Sequence, residues 1–303
     1  MGKSPSTYRN LILLNIVVLV FGFTGILGKL ITIPAEELVW HRMLIATISI
    51  GIYFFLSKKS IRISRRGLFH TTLTGLIIAT HWILFFESIH QANVSIALAA
   101  LSASSLFTAV LEPIFFKRRF KAYELLLGFI VILGLYFILK FEAKNNFGFY
   151  LGIAAAFLAS LFTVINGKLV EKHPPSRITF YELSGGLVAI TLYFLLSGGQ
   201  SKIHFDLGAS NWVYLLILGT ICTAFAFIAS VEVMKELKPF TVSLAINLEP
   251  IYGILLALII FGEDEQLSSG FYIGTSIVLS AIFANVFIKR SQARKLRQVV
   301  NNK

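Results

Sequence analysis

Long apolar stretches without a charged residue recur along the chain, at 10–28, 145–167, 207–231 and 266–288. Each is near or above the roughly 20 residues that a helix needs to cross about 30 Å of hydrocarbon. They are continuously apolar, whereas the strands of a membrane barrel alternate and are about half as long. With the shorter or singly charged runs between them, the pattern predicts an all-α integral membrane protein with ten spans, near 11–31, 35–57, 67–88, 93–116, 122–140, 148–170, 177–197, 211–233, 239–261 and 268–289.

Composition agrees with this fold class. Hydrophobic residues make up 56% of the chain and charged residues only 14%, against about a quarter charged in ordinary soluble domains. A soluble globule is therefore not expected. The 28 Phe and only 7 Pro also argue against a disordered or collagen-like chain. The single cysteine, Cys222, cannot form a disulfide within the chain.

The net charge of +12 is compatible with nucleic-acid binding, but the basic residues lie in clusters between the apolar runs. Lys and Arg accumulate in short cytoplasmic loops of membrane proteins. If both termini are cytoplasmic, all the main clusters fall on that side, at 58–66, 117–121, 172–177, 235–238 and 289–303. We therefore expect a multi-pass protein of the plasma (inner) membrane, in contact with the lipid bilayer and with no nucleic-acid partner. The first apolar run is long and no small-residue cleavage site follows it, which favours a retained span over a signal peptide.

The chain contains an internal repeat. Segments 23–30 and 162–169 agree at six of eight positions, and Gly75 and Gly128 correspond to Gly219 and Gly274 at a slowly increasing offset. The Glu-Pro pairs at 112–113 and 249–250 break this offset and are interpreted as coincidence. Because each repeat holds five spans, an odd number, the second copy enters the membrane from the opposite side. This predicts two inverted five-helix repeats, at 1–143 and 144–303, the second with a basic cytoplasmic tail.

Glycines spaced before a small residue in the last span of each half, Gly128-x5-Gly134 and Gly274-x5-Ser280, accompany a Phe-Gly-Glu sequence at 261–263. With five plus five spans over about residues 8–290, the chain resembles the EamA family of the drug/metabolite transporter superfamily. In the first half the Phe-Gly-Glu position reads Lys-Arg-Arg at 117–119, a departure from the pattern. The resemblance implies ten helices around a central cavity lined mainly by spans one, three, four, six, eight and nine. Members of the family export amino acids and other metabolites, and relatives in the superfamily move sugars, nucleotide sugars or choline.

Ionisable groups inside a span are costly unless they are paired or face water, so each is a candidate site. Glu249 lies near the middle of span nine, beside Asn247 and before Pro250, which removes a backbone hydrogen bond. Its carboxyl can carry a proton, meet a cationic substrate group or serve only in packing. His81, with Trp82 and Phe85, suits a substrate carboxylate or aromatic ring, although a lone His is more often a core residue.

Further candidates are uncharged or lie nearer the membrane surfaces. Asn166, Ser102 and Ser105 offer hydrogen bonds to a substrate, or bind one helix to another. Four charged residues are interpreted as gate or interface groups. They are Lys29 and Lys168, which end equivalent spans on opposite sides, and Arg42 and Glu182, which occupy equivalent positions in the two halves. The glycines and Ser280 predict close approach of spans five and ten, in one protomer or across a dimer.

These features favour a secondary transporter that moves a small metabolite, an amino acid or related compound, with export as the expected direction. The alternative is an uptake carrier or exchanger for a sugar, nucleotide or choline-like substrate. The chain lacks a Gly-x4-Gly-Lys-Ser/Thr loop, a zinc-protease motif and a nucleophile-elbow motif. An ATP-driven pump or a membrane enzyme is therefore disfavoured, and the absence of a repeated polar ring disfavours a channel. No cofactor is expected, proton coupling through Glu249 or His81 is possible, and the protein is a monomer or a homodimer.

Overall fold

A computed structural model describes residues 5–141, 146–197, 203–237, 239–246, 248–262 and 268–301, and within these ranges the chain contains no strand. Its helices, in chain order, are α1 (Pro5–Leu30), α2 (Ala35–Ser57), α3 (Arg65–Gln91), α4 (Val94–Leu101), α5 (Ser104–Phe115), α6 (Ala122–Phe141), α7 (Asn146–Leu169), α8 (Pro175–Leu196), α9 (Gly208–Gly219), a π turn (Thr220–Phe225), α10 (Ala226–Val233), α11 (Pro239–Ile246), α12 (Glu249–Phe261) and α13 (Ser269–Asn301).

Seven stretches of the described chain are long and apolar enough to cross a membrane. They are Ile12–Leu30, Ala35–Ser57, Arg65–Gln91, Val94–Phe115, Phe147–Leu169, Pro175–Leu196 and Gly208–Val233. Three further apolar helical stretches are shorter, at Ala122–Ile138, Glu249–Phe261 and Ser269–Ala281. The prediction of an all-α protein with many membrane spans is confirmed. Length and composition by themselves support seven of the ten predicted spans.

Three of the predicted spans are interrupted, which the apolar pattern does not reveal. Span four divides at Ser102, whose hydroxyl donates to the Ala99 carbonyl at 2.5 Å and so competes with the helical ladder. Span eight passes through the π turn, where the Thr223 hydroxyl donates to the Leu218 carbonyl at 2.6 Å. Span nine divides where α12 begins with Glu249 and Pro250, because proline is tolerated in the first turn of a helix but not in its interior.

Two helix crossings depend on a glycine at the contact. A Cβ atom at Gly75 in α3 would overlap the backbone carbonyl oxygen of Glu182 in α8. At Gly219 in α9, a Cβ atom would lie 2.6 Å from Ile45 and 3.3 Å from the carbonyl oxygen of Arg42 in α2. The paired glycines of the sequence repeat therefore sit at two similar crossings, α3 on α8 and α9 on α2.

The predicted close approach of spans five and ten occurs within one chain. Gly134 in α6 and Gly274 in α13 face each other, so that a Cβ atom on Gly134 would lie 2.7 Å from the carbonyl oxygen of Gly274. The contact does not need a second protomer. Gly128 instead packs against Leu106 of α5, and Ser280 is on the exposed side of α13.

At the end of the bundle that carries the basic loops, called here the basic end, an ion-pair network joins three helices. Glu112 and Glu124, both nearly buried, contact Arg118 at 3.0 Å each. Glu112 also accepts a hydrogen bond from the backbone N–H of Phe240, near the start of α11. Burial lowers the pKa of Arg118, but the hydrogen bond and charge of Glu124, with the charge of Glu112, more than offset this and raise it.

The opposite end of the bundle, called here the acidic end, is also closed by side chains. Glu37 of α2 accepts a hydrogen bond from the backbone N–H of His204 and contacts the His204 imidazole at 3.2 Å. Asn211 of α9 accepts from the backbone N–H of Thr32 at 3.1 Å, which ties α9 to the end of α1. Hydrogen bonds thus link the first and second halves of the chain at both ends of the bundle.

Candidate functional site

A cavity lies in the middle of the bundle, among α1, α2, α3, α7, α10 and the broken spans four and nine. It holds about 770 Å³ of space between atoms, its opening included, of which about 80 Å³ admits the centre of a water molecule. Small-molecule sites are mostly apolar concavities with a few convergent polar groups. The lining fits that description, with aromatic residues Phe21, Trp82, Phe85, Phe162 and Phe227 and polar residues Thr24, Arg42, His81, Ser104, Thr163, Asn166, Ser230 and Glu249.

Arg42 is the cation of the cavity, and only 1% of it is exposed. Its Nε donates to the Thr223 hydroxyl at 2.6 Å and its Nη2 to the Cys222 carbonyl at 3.5 Å. The guanidinium lies over the Trp82 ring, 3.8 Å from its centre. Among the described residues, Nη1 has no hydrogen-bond partner. One edge of the guanidinium is thus fixed by the protein, and Nη1 is left without a protein partner.

This position of Arg42 differs from the gate or interface role expected from the sequence. The expectation rested on the position of Arg42 near the outer end of span two, from which a long side chain can reach the membrane surface. The π turn instead lets Thr223 accept from Arg42 while it donates to Leu218, since a hydroxyl can do both. A buried guanidinium therefore has partners in the membrane interior and does not need to reach the surface.

Glu249 is the acidic residue of the cavity, where it is 5% exposed. As the first residue of α12, it lies at the positive end of a half-helix dipole. The break in span four also lies at the cavity, because Leu101 before it and Ser104 after it contribute to the lining. Transporters commonly form their substrate sites at such broken helices.

Arg42 and Glu249 line the same space but do not form an ion pair. No contact of 4.0 Å or less joins their charged atoms in the described part of the chain, although ion pairs of this length occur elsewhere in the protein. Opposite charges left apart in an apolar cavity can each bind one end of a small molecule. The arrangement therefore offers a site for a ligand with both charges.

His81, Trp82 and Phe85 all line the cavity. The Nδ1 atom of His81 lies 2.8 Å from the Ala155 carbonyl oxygen. Because a carbonyl only accepts, Nδ1 carries a proton, and in the neutral ring Nε2 is an acceptor. The imidazole stacks on Phe85 with an interplanar angle of 19° and meets Phe162 at 64°. His81, Phe85 and Phe162 thus form an aromatic wall, and the imidazole of His81 gives this wall one polar edge.

Asn166 connects the cavity to a second buried acid. It lines the cavity, and its Nδ2 donates to the Glu182 carboxyl at 3.4 Å. Glu182 itself is 0% exposed and does not line the cavity. The sequence predicts a gate or interface role for Glu182. The structure instead places this residue fully buried on α8, where Asn166 lies between it and the cavity.

The remaining sequence candidates lie at the edge of the site or outside it. The hydroxyls of Ser102 and Ser105 bond to backbone carbonyls of their own segment, and Ser104 between them is the one that lines the cavity. Asn247 lies outside the described residues. Lys29 ends α1 over the Phe261 ring, and Lys168 ends α7 over the Phe116 ring. Both lysines lie away from the cavity.

Sequence reasoning missed Thr223, Thr163 and Ser230. Threonine and serine are common in membrane helices, so composition gives no reason to select these three. Thr223 can be identified only from the geometry, because its role as hydrogen-bond acceptor becomes evident once Arg42 is known to be buried beside span eight. Thr24 and Thr163, which occupy the same position in the repeated segments, both line the cavity and were within reach of the repeat alignment.

The fold and this site define the class, a multi-pass membrane protein with a mostly apolar central cavity that carries a few convergent polar groups. The sequence model of the EamA-like transporter family matches the chain twice, over residues 9–140 and 146–287. The chain therefore belongs to the EamA-like transporter family, and it is a membrane transporter.

Relatives agree with this assignment. An uncharacterised transporter of Bacillus subtilis strain 168, YxxF, is 24% identical over 259 residues, which covers 83% of this chain and 82% of the relative. An uncharacterised transporter of Archaeoglobus fulgidus is 26% identical over 213 residues, covering 70% and 74%. One solved crystal structure aligns with a TM-score of 0.68 at 14% identity, covering 91% of this chain and 96% of that one. At this identity the structural likeness shows the fold alone.

Proposed function

We propose that this protein is a secondary transporter that moves a small zwitterionic metabolite, an amino acid or a related compound, by alternating access. The observation that carries the proposal is the pair of unbridged charges, Arg42 and Glu249, in one cavity. A substrate carboxylate would meet Arg42 Nη1, which has no partner in the described chain. A substrate ammonium would meet Glu249. The aromatic wall of His81 and Phe162 leaves room for an apolar or aromatic side chain.

Alternating access requires two states of similar energy, which two inverted halves supply. We propose ten spans in two inverted five-helix repeats, at 1–143 and 144–303, with both termini cytoplasmic in the plasma membrane. The double match of the family model supports this division. The repeated lysines support it too, because each ends its span over an aromatic ring of the other half, Lys29 over Phe261 and Lys168 over Phe116.

The energy source would be an ion gradient or the exchange of two substrates, because the chain carries no phosphate-binding loop of the Gly-x4-Gly-Lys-Ser/Thr type. Export is the expected direction. Uptake or exchange of another metabolite is the alternative. One observation favours a choline-like substrate as the second candidate, since Glu249 and the surrounding aromatic rings also suit a quaternary ammonium group.

Ligand-dependent thermal stabilisation of the purified protein tests the proposal. The panel contains single amino acids, their decarboxylated amines, their deaminated acids, choline and simple sugars. A zwitterion site predicts that one or more amino acids raise the melting temperature and that the matching amine and acid do not. Stabilisation by choline alone would select the second candidate, and stabilisation only by sugars would contradict both.

A further inference from the structure

Glu182 and Arg42 occupy equivalent places in the two halves. Each lies seven residues after the first residue of its helix, Pro175 for α8 and Ala35 for α2. The carbonyl of each faces a paired glycine at a crossing with the other half, Gly75 for Glu182 and Gly219 for Arg42. Arg42 lines the cavity in this structure, whereas Glu182 is enclosed.

The surroundings of the Glu182 carboxyl contain no compensating charge. Among the described residues, no Lys, Arg or His approaches it closely enough to stabilise an anion. The helices packed against this part of α8 present the backbone of Gly75 from α3 at Glu182 and Met43 from α2 at Gly186, one turn further on. From α7 comes Asn166, a polar but uncharged partner. An isolated carboxylate in such a place costs several kcal/mol, so it holds a proton instead.

The hydrogen bonds around this acid indicate where that proton sits. Asn166 Nδ2 donates to Glu182 Oε2, and the other oxygen of each side chain, Glu182 Oε1 and Asn166 Oδ1, has no donor in the described chain. Both are acceptors while the carboxyl is ionised. A proton on Glu182 Oε1 makes that oxygen a donor and leaves Asn166 Oδ1 as an acceptor.

We infer that Glu182 binds the proton that is coupled to transport, and that Asn166 relays its protonation to the substrate cavity. The inference rests on the proposed function. In the state described here, the acid is neutral and sealed between α3, α7 and α8. In the state that faces the other side, exchange of the two halves would place Glu182 at the cavity, where Arg42 lies now, and there it would release the proton to water. The step moves one proton between carboxyl and water and needs no further reactant.

A proton site at Glu182 separates two roles, because the sequence suggested Glu249 or His81 for proton coupling and both residues also for substrate binding. Glu249 faces Arg42 across the cavity, where a charged carboxylate is useful for binding an ammonium group. Glu182 has no cation to face, which suits a group that cycles between neutral and charged forms. The two acids can therefore serve substrate and proton separately.

Infrared spectroscopy of the purified protein, titrated in H₂O and D₂O, tests whether Glu182 holds a proton. The wild type is expected to show a protonated-carboxyl band at neutral pH that shifts in D₂O. Glu182→Gln should lose that band, and Glu87→Gln, which changes a surface-exposed acid, should keep it. Thermal unfolding establishes that each variant is folded. A band unchanged in Glu182→Gln, or absent from the wild type, would overturn the inference.

Proteoliposomes with a carbon-14-labelled mixture of amino acids test the coupling. One pH unit supports about tenfold accumulation at one proton per substrate. Wild-type vesicles should accumulate label under a pH gradient. Glu182→Gln should lose that accumulation and still exchange label for unlabelled amino acids. Accumulation that persists in Glu182→Gln, or that follows a sodium gradient instead, would overturn proton coupling. If the wild type does not exchange any amino acid, the proposed substrate class fails, and the infrared measurement still decides whether Glu182 is protonated.

Discussion

At the scale of residues, the site is defined by charges that the protein leaves incompletely paired. Arg42 uses Nε and Nη2 for the protein and keeps Nη1 without a protein partner in the described chain. Glu249 has a helix dipole beside it and no ion pair with Arg42. A bound ligand would complete both sets of interactions, which is what a specific binding site requires.

Replacement of Glu249 by Gln keeps the size of the side chain and removes its charge. We expect binding of an amino-acid ligand to weaken by about tenfold to a hundredfold, because a hydrogen bond to a charged group contributes about 1.5–3 kcal/mol. Titration calorimetry with the best ligand of the stabilisation panel measures the change. Equal affinity in Glu249→Gln and wild type would remove Glu249 from the site.

Arg42→Lys tests geometry at constant charge. A lysine ammonium cannot reproduce the fixed fork of a guanidinium that bonds Thr223 and a ligand carboxylate together. We expect ligand affinity to fall by about tenfold or more, with the protein still folded. The matched control is Lys29→Arg, because Lys29 lies outside the cavity over Phe261. Loss of binding in that control and not in Arg42→Lys would contradict the account.

At the scale of elements, the interruptions in the spans are the features that build the site. The π turn supplies Thr223, the break before α12 supplies Glu249, and the break before α5 supplies Ser104. Irregular backbone inside a membrane is tolerated where it is buried in protein or lines a cavity. The positions of all three follow that rule.

The Thr223 hydroxyl is expected to position Arg42. Thr223→Val keeps the shape and removes the acceptor, so the buried Nε loses its partner. We expect at least about tenfold weaker ligand binding, since an unsatisfied charged donor costs about 1–3 kcal/mol or more. Thr223→Ser should restore most of the affinity. The control Thr220→Val removes an exposed hydroxyl of the same turn, which donates to the Leu216 carbonyl, and this variant should bind ligand like the wild type.

The network at the basic end is expected to stabilise the closed arrangement of α5, α6 and α11. Arg118→Met leaves two nearly buried carboxylates, Glu112 and Glu124, without their shared cation. We expect a loss of about 1–3 kcal/mol, visible as a lower melting temperature in detergent. Arg119→Met, in the same loop, is the control. A melting temperature unchanged by Arg118→Met would show that the network adds no stability.

The sequence predicts the elements better than their interruptions. Apolar runs predict where the helices lie, because the free energy of moving a segment from water into the membrane depends on its composition. They do not report the breaks at Ser102 and Thr223, because a residue that bends a helix has the same hydropathy as one that continues it. Likewise, His81 and Glu249 can be selected from the sequence as polar groups within a span. The burial of Arg42 cannot, because it depends on the π turn of a neighbouring helix, which a hydropathy pattern does not reveal.

At the scale of the whole molecule, the proposed transport cycle depends on two similar halves that exchange their roles. The glycine crossings at Gly75 and Gly219 and the lysine contacts at Lys29 and Lys168 occur in both halves. Both ends of the bundle carry polar contacts between helices, at Glu37 and at Glu112. Because both sets of contacts are formed in this structure, opening towards either side would break the contacts at that end.

Counterflow in proteoliposomes tests this central claim most directly. Vesicles are loaded with the unlabelled amino acid that stabilises the protein most, and the entry of the labelled form is measured. A carrier with an alternately exposed cavity predicts that entry is faster with trapped substrate than without it, and that Arg42→Lys reduces this acceleration. Entry at the same rate with and without trapped substrate would contradict the carrier account.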